Sequence, residues 1–216
     1  MNTTKIIKYK LTDKNGNTKN NTHWEVGTTH EATGDLSQGL CSDAYIHVYD
    51  DPLIAVIMNS RHAHIIEPIL WRCEVSGDSL VESLKSGYRV VTMLERVELP
   101  VLSNEQLIAF AILCSLKVYR AEHYVKWAED WLSGKDRSRG SAVAAYTGAA
   151  ATYATACVAV AADAAADAAD AAYADAADAV AADAADSAAA YSAYAAAAYG
   201  GIKIDFIALA KQAMTY

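Results

Sequence analysis

One stretch limits the fold more than any other: between Ser141 and Tyr199 the chain carries 34 alanines in 59 residues, with seven aspartates and no lysine, arginine or proline. Alanine is the strongest helix former, and a proline-free run interrupted only by Gly148 propagates a helix once nucleated. Most of the aspartates follow a repeat of eight, with Asp167, Asp175 and Asp183 in one series and Asp170, Asp178 and Asp186 in another. At about 100° per residue, eight residues advance a stripe roughly 80° beyond two full turns, so the acids wind around the helix and a heptad seam is excluded.

A straight rod of that length would span roughly 90 Å, far beyond a compact domain of this size. The tract is therefore predicted to be bent back or broken, with alanine faces packing closely and the sparse large residues anchoring the contacts. Those residues are Tyr146, Tyr153, Val158, Val160, Tyr173, Val180, Tyr191, Tyr194 and Tyr199. A membrane span is excluded, because each aspartate at a helix centre costs about 2.5–3.5 kcal/mol in hydrocarbon. An ice-binding helix would need threonines at a fixed interval, whereas Thr147, Thr152 and Thr155 cluster at one end.

The formal charge of −8 is local: outside the tract, 18 basic residues face 19 acidic ones. No basic stripe is present to neutralise phosphates, so direct nucleic-acid binding is disfavoured. The first residues, MNTTKIIKYK, lack the apolar run of a signal peptide. A cytoplasmic protein is expected. Cys41, Cys73, Cys114 and Cys157 have no CxxC spacing and read as reduced, mostly buried thiols.

Along the chain, KIIKYK at 5–10 is a strand candidate, and Asn15-Gly16 suits a tight hairpin turn with a return strand at Thr22–Val26. Ala44–Tyr49 alternates like a strand. Asp50-Asp51-Pro52 then opens a short helix with an acidic cap and a proline in its first turn. Ile69–Val75 reads as a buried strand stopped by Ser76-Gly77, Asp78 as the cap of a short helix reaching Leu84, and Tyr88–Leu99 as a long strand or strand pair. Ser103 and Gln106 form a capping box before a helical spacing of Leu107, Phe110, Ala111, Cys114 and Val118. A second helix at about Glu122–Leu132 gathers Tyr124, Trp127 and Trp131. The expected class is α+β: a small mixed-sheet body with two helices at 1–134, a polar hinge at 135–141, an alanine-rich helical region at 142–199, and a short helix within 202–216 capped by Asp205.

Trp24-x-x-Gly27, Leu40-Cys41-Ser42, Ile46-His47-x-Tyr49, Asp51-Pro52, His62-Ala63, Leu70-Trp71, Glu74-Val75-x-Gly77, Lys85-x-Gly87, Leu99-Pro100, Ala109-Phe110-Ala111-Ile112 and Trp127-Ala128-x-x-Trp131-Leu132-x-Gly134-x-Asp136-Arg137-Ser138 carry a likeness. Over roughly residues 5–140 the chain resembles an uncharacterised domain of bacteriophage and prophage proteins that often precedes an alanine-rich tail. That resemblance implies a phage or mobile-element setting, and with it the cytoplasm of the host cell, and supplies no catalytic residues to carry over.

Three chemistries have candidate residues. Trp24, His47, Tyr49 and Trp71 offer an aromatic pocket for a nucleotide-like ligand, with histidine as a polar handle. His62-x-His64, with His47 and Cys41, holds metal-ligating side chains whose spacing fits no closed set, so no metal and no other cofactor is expected. The ladder of Asp167, Asp170, Asp175, Asp178, Asp183 and Asp186 either solvates the alanine helices or meets a cationic partner by imitating a nucleic-acid backbone. GxGxxG, Walker A, GxSxG and HExxH are absent, and no reaction is legible. The expected function is a non-catalytic binding or interaction protein acting on a host factor, with oligomerisation through the alanine-rich helices as an option. The alternative is a nucleotide-binding or nucleotide-modifying domain of ADP-ribosyltransferase type.

Overall fold

A computed structural model describes the chain except residues 1–4, 151–155, 174–177 and 199–201. The class is α+β, with strands first and helices later. The chain divides into two compact units, Met1–Pro100 and Val101–Tyr216. The division falls at Pro100/Val101 and not in the polar stretch at 135–141. Within that stretch Lys135 pairs with Asp130 at 2.8 Å, Arg137 reaches Glu105 at 2.9 Å, and the Arg137 guanidinium lies 4.5 Å from the Trp131 ring centroid.

The first unit is a small antiparallel sheet that curls on itself. Strand β1 (Ile6–Thr12) pairs with β6 (Ile69–Val81), which pairs with β7 (Ser86–Val97). The far edge of β7 takes two short strands, β4 (Thr29–Glu31) and β5 (Ile46–Val48). Just past β5, Tyr49 exchanges both backbone hydrogen bonds with Tyr9 of β1, at 2.7 and 2.8 Å. The order β1-β6-β7-β5 thus returns to β1, and barrel closure hides edges that would otherwise be open. Trp24, Val48, Trp71, Cys73, Val75, Tyr88, Val91 and Met93 fill the interior.

Several local signals acted differently from expectation. Asn15-Gly16 does not join two paired strands: Gly16 takes φ +82° and Asp13 accepts from the Asn15 and Asn17 amides, turning β1 into β2 (Asn17–Thr18). The short hairpin is closed by β3 (Thr22–His23) around a 3-10 turn at Lys19–Asn21. A β-carbon at Gly16 would stand 2.5 Å from the Trp24 carbonyl oxygen, so this position requires glycine on both counts. Ser76-Gly77 is a bulge and not a stop, and Asp78 lies in β6 instead of capping a helix. Glycine at φ +78° marks either a strand end or a bulge, and here the ladder resumes beyond it. After β5, Asp51 caps α1 (Pro52–Ile57), accepting from the Leu53 amide at 2.9 Å, and α2 (Asn59–His62) follows.

The second unit is helical. In α3 (Asn104–Ser115) every residue from Leu107 to Ser115 is buried, so no single face can satisfy it and it must be surrounded. The capping box forms in full, with Gln106 N to Ser103 Oγ at 3.2 Å and Ser103 N to Gln106 Oε1 at 3.0 Å. In α4 (Glu122–Leu132) the buried face carries Tyr124, Trp127, Ala128 and Trp131, and the Tyr124 hydroxyl meets Ser115 Oγ at 2.6 Å. The alanine tract supplies α5 (Arg139–Ala150), α6 (Ala156–Tyr173) and α7 (Asp178–Ala198). Helices α6 and α7 pack on each other and on α3, together with α8 (Phe206–Ala213), which Asp205 caps.

Among the described residues the buried positions of the tract are alanine apart from Ser192: 142, 145 and 149 in α5, 164, 165, 166, 168 and 169 in α6, and 185, 188, 189, 195 and 196 in α7. Tyr146 and Tyr194, expected as anchors, are exposed. Alanine faces let helix axes close together, and a tyrosine ring has no room between them. Tyr191 is half-buried; Tyr153 and Tyr199 lie outside the described residues. Val158, Val160, Tyr173 and Val180 are described by backbone alone.

Candidate functional site

Strand pairing places an unusual residue inside the first unit. Lys8, Lys10 and Thr12 stand opposite Cys73, Trp71 and Ile69, so they share the face that β6 turns to the interior. A strand whose inward positions are lysine breaks the rule that this face is apolar. Lys8 resolves the conflict by pairing with Asp50 at 2.8 Å. Lys10 does not: it is only 8% exposed, donates one hydrogen bond to the His47 carbonyl at 3.0 Å, and lies 5.0 Å from the Trp24 ring centroid. No carboxylate pairs with it among the described residues.

Burial lowers the Lys10 pKa from 10.5 to about 8, against a weaker opposing pull from the neighbouring Cys73 thiol. Nine-tenths removed from water, the amine has one carbonyl and one indole face as its protein partners among the described residues, and its remaining donor capacity is available to a ligand acceptor.

Lys10 opens onto a cleft of about 830 Å³, within the range of small-molecule sites. One wall is β1 and the β2–β3 hairpin, another is the strand around His47 and Tyr49, and the third is the segment from His62 to Glu67. That third wall is held by Asn59, whose side chain donates to the Ile65 carbonyl at 2.9 Å and accepts from the Ile65 amide at 3.2 Å. The Lys14–Glu67 ion pair ties it to the hairpin at 2.9 Å.

His47 Nε2 lies 2.5 Å from the Leu40 carbonyl, which only accepts, so Nε2 carries the proton. Burial pushes the His47 pKa down, outweighing the opposing pull of that bond. The ring is neutral at neutral pH and its Nδ1 is an acceptor. The cleft therefore presents a donor from Lys10 and an acceptor from His47.

Of the four residues expected to line an aromatic pocket, three do: Trp24, His47 and Tyr49. Trp24 is 2% exposed and its face is taken by Lys10 and, edge-on at 4.4 Å, by His30, so it is a wall and not a stacking platform. Tyr49 is buried, with its ring parallel to His62 at 6.0 Å, and burial raises its pKa. Trp71 does not line the cleft; its indole N–H donates to Thr12 Oγ1 at 2.9 Å, and Arg96 covers its ring at 4.9 Å. The rings with exposed surface at the cleft are Tyr45, His30, His47, His62 and His64.

Sequence reasoning missed Lys10, and the signal that would have found it is the alternation of lysines 8 and 10 on the strand's inward face. His62 and His64 both line the cleft, but among the described residues no group of three or more His, Cys, Asp or Glu is placed to hold a metal ion. Cys73 and Cys114 are buried, whereas Cys41 is exposed and accepts from Lys85 Nζ at 2.9 Å. Side-chain burial is described for Cys41, Cys73 and Cys114; Cys157 is described by backbone alone.

In the acidic ladder, Asp170 is exposed and Asp167 half-buried. Asp175 lies outside the described residues, and Asp178, Asp183 and Asp186 are described by backbone alone. Among the described residues no helix is long and apolar enough to cross a membrane. Comparison of the chain with protein-family models, with curated proteins and with solved structures found no match, so the geometry of the Lys10 cleft alone carries the functional reading.

Proposed function

We propose that the first unit is a binding module for a small planar ligand of nucleoside type, held by an oxygen acceptor against Lys10 and a donor against His47. The observation that carries this reading is the buried Lys10 ammonium, with no carboxylate partner among the described residues, at the wall of a cleft of mixed polar and apolar lining. Holding such a charge without a partner costs stability, and a ligand oxygen would recover part of that cost. The charge around the opening restricts the ligand further. Asp13, Glu31, Asp43 and Glu67 line the cleft against Lys10, Lys14 and Lys19, so a polyphosphate is disfavoured and a neutral or singly charged heterocycle fits.

The phage setting implied by the sequence resemblance, and a host factor as the ultimate target, accompany this reading as proposals. The helical unit then serves as scaffold, with its acidic ladder as the solvating surface.

Titration of the full chain with adenosine, guanosine, cytidine and uridine by ligand-observed NMR tests the module. Binding of at least one in the sub-millimolar range, weakened about 10-fold or more by Lys10→Met, is expected from the loss of one charge-assisted hydrogen bond. Absence of binding to all four, together with native mass spectra of protein from its own cells showing no retained small molecule, would remove the proposal.

A further inference from the structure

Lys5, Lys14, Lys126 and Lys135 meet a carboxylate in the open, on Glu74, Glu67 and Asp130, and Lys8, on the same inward face as Lys10, is paired with Asp50 at 2.8 Å. Lys10 is buried in the cleft wall with a carbonyl and an indole face as its neighbours. A carbonyl stabilises a protonated amine less than a carboxylate does, and no anion anchors the charge. An amine in such surroundings is the kind that sheds its proton and acts as a nucleophile.

We propose that Lys10 forms a reversible imine with a planar aldehyde seated in the cleft, an inference that rests on the cleft being a ligand site. The unprotonated Nζ attacks the carbonyl carbon, forming the C–N bond while the C=O π pair moves to oxygen. One proton passes from nitrogen to that oxygen, giving the carbinolamine. Loss of the hydroxyl with the second nitrogen proton releases water and leaves C=N. Amine and aldehyde yield imine and water, so neither oxidant nor reductant takes part. The oxygen that the ligand presents to Lys10 is, in this reading, the carbonyl oxygen itself.

The ionisation supports the chemistry. With its pKa at about 8, Lys10 holds roughly two orders of magnitude more free amine at pH 7 than a lysine at 10.5.

Reductive trapping on the full chain tests the inference. The protein is incubated at pH 7 with 4-hydroxybenzaldehyde and sodium cyanoborohydride, whose hydride adds to the imine carbon while nitrogen takes a proton, fixing a secondary amine. Peptide mapping by mass spectrometry then reads the label on each lysine. Expected is a label at Lys10 about 10-fold or more above the mean of the other lysines, increasing with pH through a midpoint near the Lys10 pKa of about 8. Lys10→Arg, which keeps the charge but cannot condense, is expected to lose the site-selective label while its circular dichroism matches the parent.

Labelling spread evenly over surface lysines would overturn the inference. Parallel titration with 4-hydroxybenzamide, planar but not electrophilic, separates the two readings. Amide binding without a Lys10 label sinks the imine and leaves the ligand site standing; neither binding nor label sinks both.

Discussion

The two units solve the problem of a core in opposite ways. The first encloses large rings and charged stems in a closed sheet, with Trp24, Trp71, Tyr88, Lys8 and Lys10 crowded inside a short barrel. The second packs one apolar helix, α3, against α6 and α7, whose described buried positions are almost all alanine, and against α8. Large, irregular side chains leave shape and polarity behind them, and a cleft of about 830 Å³ results. Alanine faces pack without such relief; a cleft in the helical unit, bounded by α4 and α5, holds about 230 Å³. Chemistry is accordingly expected in the barrel, and shape in the bundle.

The sharpest way to break that contrast is to exchange the kinds of damage. Truncation should hurt the barrel most: Trp71→Ala removes a fully buried indole and is expected to cost about 3–5 kcal/mol. Enlargement should hurt the bundle: Ala168→Leu forces extra volume between closely spaced helices and is expected to cost about 1–3 kcal/mol. Denaturant unfolding followed by tryptophan fluorescence and far-ultraviolet circular dichroism measures both. If Ala168→Leu proved neutral, the close alanine packing described for α6 would be wrong.

A second prediction concerns charge inside the barrel. The folded pKa of Lys10 lies near 8 and the unfolded value at 10.5, so the unfolded chain binds more protons in between. The Lys10 contribution to stability therefore increases as pH goes from about 8 to about 10.5, and below that window the full penalty of the buried charge is present. Lys10→Met should flatten this slope and stabilise the protein at pH 7 by about 1–3 kcal/mol, less whatever the unpaired His47 carbonyl costs. Cys73, whose thiol burial pushes up to about 12, and Tyr49 give slopes of opposite sign at alkaline pH, so the parent-minus-variant difference is the quantity to measure. A difference that does not change with pH would contradict the buried, unpaired amine.

How much of this was legible beforehand differs between the units. Helices were plain wherever a signal was redundant: alanine content over the tract, the Ser103–Gln106 box, and the Asp51-Pro52 cap each had more than one physical cause pointing the same way. Strand boundaries were lost where glycine had two meanings, as at Gly77, where a bulge imitated a stop, and at Gly16, where a turn redirected the chain without pairing its flanks. Barrel closure through Tyr9 and Tyr49 was invisible, because it rests on pairing between residues 40 positions apart. Trp24, His47 and Tyr49 were identified as pocket residues from ring chemistry. Lys10 was not, since its meaning depends on which face of β1 turns inward, and that face is set by register with β6.

The smallest effect is expected on the bundle surface. Replacing Asp167, Asp170, Asp175, Asp178, Asp183 and Asp186 by glutamine should change stability by less than about 0.5 kcal/mol per site while increasing self-association, seen by light scattering against protein concentration. Loss of a steeply salt-dependent affinity for a cationic partner in that variant would instead make the ladder a docking surface, and would move function from the barrel to the bundle.

The central claim is that the barrel holds an unpaired amine ready for a ligand, and direct titration of the Lys10 side chain by NMR detection of its Nζ and adjacent carbon tests it most closely. The account predicts a midpoint near 8 in the free protein, well below the 10.5 of an ordinary lysine, and a displaced midpoint once a ligand occupies the cleft. A midpoint at 10.5 or above in the free protein would contradict it.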